Sequence, residues 1–205
     1  LVDNIDQLLD INKRSWDLDR DNLAKAWKYA SMALRANEFD RALEPLLFLV
    51  DKAPTTINYW NQLAIVYNRL ERTDDALNVY RRLIELEPDK REHYLNLGII
   101  YKDKGQLSQA RTQFLRASEV GGSWALAVYY EGLLYEQAAR SCGFEFEDRL
   151  VYLLAVQTYQ RAFNMDNTLS QARERINALG TSIPSKEDYF FRNVKSGQVI
   201  QLTGS

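Results

Sequence analysis

One cysteine and one histidine are all that 205 residues offer to thiol, metal or relay chemistry. Cys142 has no partner for an internal disulfide, and no cysteine-based metal site can be assembled around it. His93 has no second imidazole and is read as a surface or partly packed side chain. Charge of one sign is scarce as well. The 26 basic and 28 acidic side chains leave a formal net charge of -2, too small a field to draw the chain onto nucleic acid. Local runs such as Lys13-Arg14 and Asp89-Lys90-Arg91-Glu92 are short, the latter mixed in sign, and read as solvated faces. Long apolar runs are missing too. Pro45 to Val50 is the longest, well short of the ~20 residues of a membrane span. There is no Gly-rich phosphate loop and no Gly-x-Ser-x-Gly elbow. The carboxylate pairs Asp74-Asp75 and Glu145-Glu147 fall at expected turns, where capping and solubility account for them. No catalytic residue, metal or cofactor is expected, and the chain is read as a non-enzyme. It starts at Leu1 and so is expected to lack its natural beginning, which leaves cytoplasmic and extracytoplasmic locations equally open.

Proline and glycine, the punctuation of irregular chains, are also few: four and nine. Ala, Leu, Arg, Glu, Gln and Asn dominate instead, the composition of packed helices. What is abundant is repetition. Trp60-x-x-Leu63-Ala64-x-x-Tyr67 recurs 34 residues later as Tyr94-x-x-Leu97-Gly98-x-x-Tyr101, and more weakly as Val128-x-x-x-Gly132-x-x-Tyr135. The second half of the unit repeats in register: Ala76, Tyr80, Leu83 and Pro88 answer to Ala110, Phe114, Ala117 and the Gly121-Gly122 break, and one period earlier to Ala42, Leu46, Leu49 and Pro54. Ala26, Ala30 and Ala33 mark a degenerate first unit.

With this period and these residues, the chain resembles the tetratricopeptide-repeat (TPR) family over about residues 23 to 169. The resemblance implies an all-α, right-handed α-solenoid of helical hairpins, with stacking of neighbours supplying the core that one hairpin cannot. Small residues (Ala64, Gly98, Gly132; Ala76, Ala110, Ala155) belong where helices A and B of a hairpin cross closely, and the aromatics fill the gaps between them. Repeats are expected at about 23–56, 57–90, 91–124 and 125–169. They follow a lead segment over 1–22, in which Val2, Ile5, Leu8 and Leu9 suggest a short helix. Asp17, Asp19 or Asp21 then starts the first repeat. A C-terminal capping helix over Leu169 to Leu179 should close the array, 23–180 in all, and end at Gly180.

Two places depart from the pattern. Tyr135 and the next small helix-B residue, Ala155, are twenty residues apart instead of nine. About eleven residues are therefore inserted near Ala138 to Asp148, expected to lengthen helix A and add a loop before Asp148 caps helix B. Phe144 and Phe146 lie there, read first as folding back over their own hairpin and second as a docking tip. The tail, 181–205, is read as extended. Tyr189-Phe190-Phe191 is its aromatic anchor and Val199 to Leu202 its β-prone segment. It lies along the solenoid, pairs with a neighbouring molecule, or begins a further domain.

In such arrays helix A lines a concave groove. Residue by residue, the resemblance places there Ala24, Trp27, Lys28, Ser31 and Arg35 from the first unit; Asn58, Asn61, Gln62, Ile65, Asn68 and Arg69 from the second; Glu92, Leu95, Asn96, Ile99, Lys102 and Asp103 from the third; and Leu126, Tyr129, Tyr130, Leu133 and Gln137 from the fourth. The two lysines, two asparagines and arginine of the family's carboxylate clamp are not reproduced. One register gives Trp27, Ser31, Gln62, Glu92 and Asn96, and the next gives Asn61, Ile65, Asn96, Leu126 and Tyr130. Side-chain amides beside aromatics suit an extended peptide or a helix instead. The expected function is a protein-protein interaction scaffold binding a partner protein or peptide in the groove. The alternative is a self-associating assembly component that uses the insertion or the tail to form a homo-oligomer.

Overall fold

A computed structural model describes residues 2–140 and 145–193. Those residues form eleven α-helices and no strand. The chain divides into two compact units, Leu1–Pro88 and Asp89–Ser205. The first holds α1 (Val2–Asp17), α2 (Leu23–Arg35), α3 (Phe39–Lys52), α4 (Ile57–Arg69) and α5 (Thr73–Leu86). The second holds α6 (Arg91–Asp103), α7 (Leu107–Gly121), α8 (Ala125–Arg140), α9 (Phe146–Met165), α10 (Ser170–Leu179) and α11 (Lys186–Phe191). Helices α2/α3, α4/α5, α6/α7 and α8/α9 pair as four antiparallel hairpins, the fold that the 34-residue period specifies.

The turns inside three hairpins are copies of one another. Asn37, Glu71 and Gly105 each have φ between +55° and +73°. The next amide, on Glu38, Arg72 and Gln106 respectively, donates to the carbonyl of Ala33, Tyr67 and Tyr101 at 2.8–2.9 Å. This is a Schellman-type stop, which needs a left-handed residue at one position. Inside the hairpins the small residues are obligatory. A Cβ on Gly132 would sit 2.6 Å from Cε1 of Tyr159, and one on Gly98 would overlap the Phe114 ring.

At the N-terminal end the structure corrects two expectations, the length of the lead helix and the cap of the first repeat. The lead segment is a 16-residue helix. Its core contribution is Leu9 and Trp16, with Ile5 and Leu8 exposed. The cap of α2 is Asn22, whose side chain accepts from the Lys25 amide at 3.1 Å, in place of an aspartate. Asp17 instead binds Lys13 and Arg20, and Asp19 binds Lys25 and Asn22.

The described part of the insertion is mostly helix. α8 has 16 residues against 13 in α4 and α6, and α9 has 20 against 14 in α5 and 15 in α7. Glu145 precedes α9, and Asp148 reaches back to the Glu145 amide at 3.1 Å, so Asp148 completes the cap from inside the first turn. Phe146 is buried, its ring 5.5 Å from Tyr189 in edge-to-face contact and covered by the Arg192 guanidinium. It is therefore not a docking tip; Cys142 and Phe144 lie outside the described residues.

α10 packs Ala172, Ile176 and Leu179 against α9, the place of the expected capping helix. Beyond it the aromatic anchor is helical where extended chain was expected. Ser185 caps α11 with a reciprocal Asp188 contact, and Arg149 on α9 ties the segment down through the Ile183 carbonyl (2.7 Å) and the Asp188 carboxylate (2.8 Å). Val199 to Leu202 lie outside the described residues. His93, expected at or near the surface, is buried in α6.

Candidate functional site

The helix-A residues singled out from the sequence fall on α2 and α4 in the first unit and on α6 and α8 in the second. In the first unit Trp27 and Tyr59 stack tilted at 5.3 Å, both half-buried, joining α2 to α4 through an aromatic step. Asn61 and Gln62 are half-buried one turn further along α4, Asn58 is exposed, and Ile65 is 44% exposed, a large aliphatic side chain left in water. Two other residues are drawn elsewhere. Asn68 donates to the Tyr80 hydroxyl at 3.0 Å, and Arg69 lies over the Phe39 ring. Lys28 is exposed, while exposed Arg35 borders a cavity of about 220 Å³ with Ile5, Leu8, Met32 and Ala36. Thus α1 and α2 share a surface that the repeat pattern did not indicate.

In the second unit Asn96 and Ile99 are half-buried on α6. On α8, Tyr130 packs on Phe114 at 5.5 Å and meets Tyr129 edge-on at 5.7 Å, while Tyr129 packs on Tyr159 at 5.5 Å. Both tyrosines therefore combine a core role with a partly accessible face. Burial raises the Tyr130 phenol above its ordinary range, and the charges of Tyr129 and Asp103 add to the shift.

Sequence reading missed two buried carboxylates on α8. Glu131 is 5% and Glu136 3% exposed. Glu131 accepts from the Tyr135 hydroxyl at 2.9 Å and from Arg161 at 2.6 Å, with Arg111 at 3.4 Å; Arg111 in turn donates to the Tyr135 oxygen at 3.0 Å. Glu136 accepts from Arg140 at 2.5 Å and from the Tyr159 hydroxyl at 2.7 Å, with Arg175 at 3.4 Å. Each charge is thus paired and hydrogen-bonded, the condition for tolerating a carboxylate inside a protein. The i,i+4 pairs Glu131/Tyr135 and Glu136/Arg140 were the visible signal; Arg161 and Arg175 come from other helices and carried none. Among the described residues no helix is long and apolar enough to cross a membrane.

Comparison with known proteins agrees with this architecture. Residues 65–105 match the family model described as TPR repeat, and residues 93–120 the one described as tetratricopeptide repeat. The cytochrome c-type biogenesis protein CycH of Bradyrhizobium diazoefficiens is 36% identical over 94 residues, which is 44% of this chain and 26% of CycH. The chain thus spans about a quarter of the length of that curated relative. Among solved structures, YrrB, described as a TPR protein with an unusual peptide-binding site, superposes with a TM-score of 0.65 at 18% identity over 84% of each chain. MamA superposes with a TM-score of 0.64 at 17% identity, covering 82% of this chain and 91% of MamA. At these identities the likeness is one of fold: both are built of TPR helical hairpins, as this chain is.

Proposed function

We propose that this chain, which belongs to the tetratricopeptide-repeat family, holds a peptide or helix of a partner protein along its helix-A faces, and that it does so in the assembly of c-type cytochromes. A protein-interaction scaffold is the coarse function of such repeats. The observation that carries the finer reading is the character of those faces. In the first unit α2 and α4 carry Trp27, the half-buried amides Asn61 and Gln62, and exposed Ile65; in the second, α6 and α8 carry half-buried Asn96 and the partly accessible Tyr129 and Tyr130. Amides donate to and accept from an extended backbone, and aromatic surfaces anchor apolar side chains at small entropic cost. The cytochrome context comes from the likeness to CycH.

The test is binding of a haem-free apocytochrome c polypeptide, measured by calorimetry, against the folded holocytochrome and against a chain with Asn61→Ala, Gln62→Ala and Asn96→Ala together. Apocytochrome binding that the triple substitution weakens while the melting temperature holds supports both parts. Affinity unaltered by the substitutions discards the site, and no preference for the apoprotein discards the cytochrome context.

A second reading, self-association, is favoured by one observation. Phe190 and Phe191 form an edge-to-face pair at 5.8 Å and are 79% and 83% exposed at the end of α11.

A further inference from the structure

We propose that the cavity walled by the last turns of α6 and α8 and by α10 binds a carboxylate of a partner polypeptide. Arg140 and Arg175 are its ligands and Lys102 supports them. The inference rests on the partner-binding reading above and supplies the chemistry of one contact. The cavity has a volume of about 230 Å³ and is lined by Lys102, Leu133, Glu136, Gln137, Arg140 and Arg175.

The charge balance decides the sign of the guest. Glu136 is buried at the site, and both its oxygens are occupied: Oε1 by Arg140 at 2.5 Å and Arg175 at 3.4 Å, Oε2 by the Tyr159 hydroxyl at 2.7 Å. Lys102 pairs with Asp103 at 2.5 Å. Three cations facing two carboxylates leave one positive charge, and a guanidinium has five N–H donors, more than one buried carboxylate can accept. The Arg140 and Arg175 side chains remain 62% and 41% exposed while Glu136 holds both, Arg175 also being hydrogen-bonded to Tyr129. A tethered, accessible guanidinium is pre-organised for a planar, singly charged acceptor, so less freedom is lost when the guest arrives. Leu133 adds an apolar wall, and Gln137 bridges α8 to the Lys102 carbonyl at 3.4 Å.

Two of the cavity's cations lie outside the 34-residue pattern. Arg140 ends α8 in the turn by which that helix exceeds α4 and α6, and Arg175 belongs to α10, outside the repeats. None of Lys102, Gln137, Arg140 or Arg175 occupies a position of either clamp register. The inserted turn and α10 thus add two guanidiniums beside Lys102 and Gln137, which are helix-A positions of the 34-residue pattern.

The source of the carboxylate, an acidic side chain or a chain terminus, is resolved by three synthetic hexapeptides sharing two leucines. One carries two internal glutamates and an amidated end, one two glutamines and an amidated end, and one two glutamines and a free C-terminal carboxylate. Each is titrated into the full chain while the arginine Nε–H signals are followed by NMR, with inorganic phosphate as a fourth probe. The expected result is saturable movement of the Arg140 and Arg175 signals with one or both carboxylate peptides, at about tenfold higher affinity than with the amidated glutamine peptide. Arg140→Gln should remove that preference, with a lower melting temperature because the buried Glu136 loses a cation, so binding is compared well below the transition; Arg82→Gln, at a surface pair with Glu85, should leave the preference intact. Immobile signals, equal affinity for all three peptides, persistence in Arg140→Gln, or tighter binding of phosphate than of either carboxylate overturns the assignment. Apocytochrome binding that survives such a result leaves the helix-A reading standing without the pocket.

Discussion

Tyr159 donates its hydroxyl to Oε2 of Glu136 across 2.7 Å, and this contact joins α9 to α8 in the interior of the second unit. The phenol is fully buried, and its ring packs against the backbone of Gly132 and the ring of Tyr129. One tyrosine thus closes the hairpin by its ring and satisfies one oxygen of a buried carboxylate by its hydroxyl.

Removing only the oxygen should be felt. Tyr159→Phe leaves the ring and strips one donor from a buried carboxylate, an expected loss of about 1–3 kcal/mol by urea denaturation at neutral pH. The same bond has a signature in alkali. Burial first, then the hydrogen bond and charge of Glu136, push the Tyr159 phenol well above its ordinary value of 10.0. Above about pH 10 the unfolded chain releases this proton while the folded chain keeps it, so the unfolded state binds fewer protons and stability falls as pH rises. The decline is expected to be shallower in Tyr159→Phe by up to about 1.4 kcal/mol per pH unit. Equal slopes in the two proteins would contradict the proton assignment.

The close approach at Gly132 gives a second expectation. Because the Tyr159 ring is pinned by its hydrogen bond to Glu136, it cannot swing away from a Cβ placed 2.6 Å from Cε1. Gly132→Ala should therefore cost about 1–3 kcal/mol despite the better helix propensity of alanine. A melting temperature at or above that of the unaltered chain would mean that the hairpin opens there without penalty.

The three equivalent turns set up a comparison inside one molecule. Glu71 occupies the left-handed conformation that Gly105 fills without strain. Glu71→Gly removes an unfavourable contact of roughly 1–2 kcal/mol, partly offset by the extra freedom of glycine in the unfolded chain. A net gain of about 0.5–1 kcal/mol is expected, and Gly105→Ala should lose about as much. Thermal unfolding of the two variants checks the signs, and shifts in the same direction would refute the shared turn geometry.

Most of the hairpin framework was legible because each structural demand recurs every 34 residues with the same chemistry: Gly98 and Gly132 at the crossings, Tyr67 and Tyr101 in the gaps, Ala76 and Ala110 on helix B. The positive-φ turn residues recur at the same period, yet their identities, Asn, Glu and Gly, share no chemistry, so that regularity was visible only in the backbone. The buried carboxylates were hidden for the opposite reason. Glu131 and Glu136 resemble solvated residues until Arg111, Arg161 and Arg175 arrive from helices distant in sequence. The same long-range dependence misled the reading of the tail, where Ser185 and Asp188 cap a six-residue helix that Arg149 anchors from α9. For the helix-A residues, sequence position gave the face but not the competition for it, as Asn68 shows by turning to the Tyr80 hydroxyl.

The exposed aromatic pair at the end of α11 supports the last expectation. Tyr189 faces inward onto Phe146, whereas Phe190 and Phe191 lie almost wholly in solvent. Their substitution therefore separates association from folding, which truncation at Gly180 would not, since that cut also uncovers Phe146. If the pair joins copies of the chain, Phe190→Ser with Phe191→Ser should lower the mass measured by light scattering toward 23.8 kDa without moving the melting temperature measured at low protein concentration. A single-copy mass for the unaltered chain at the same concentration would exclude self-association through α11.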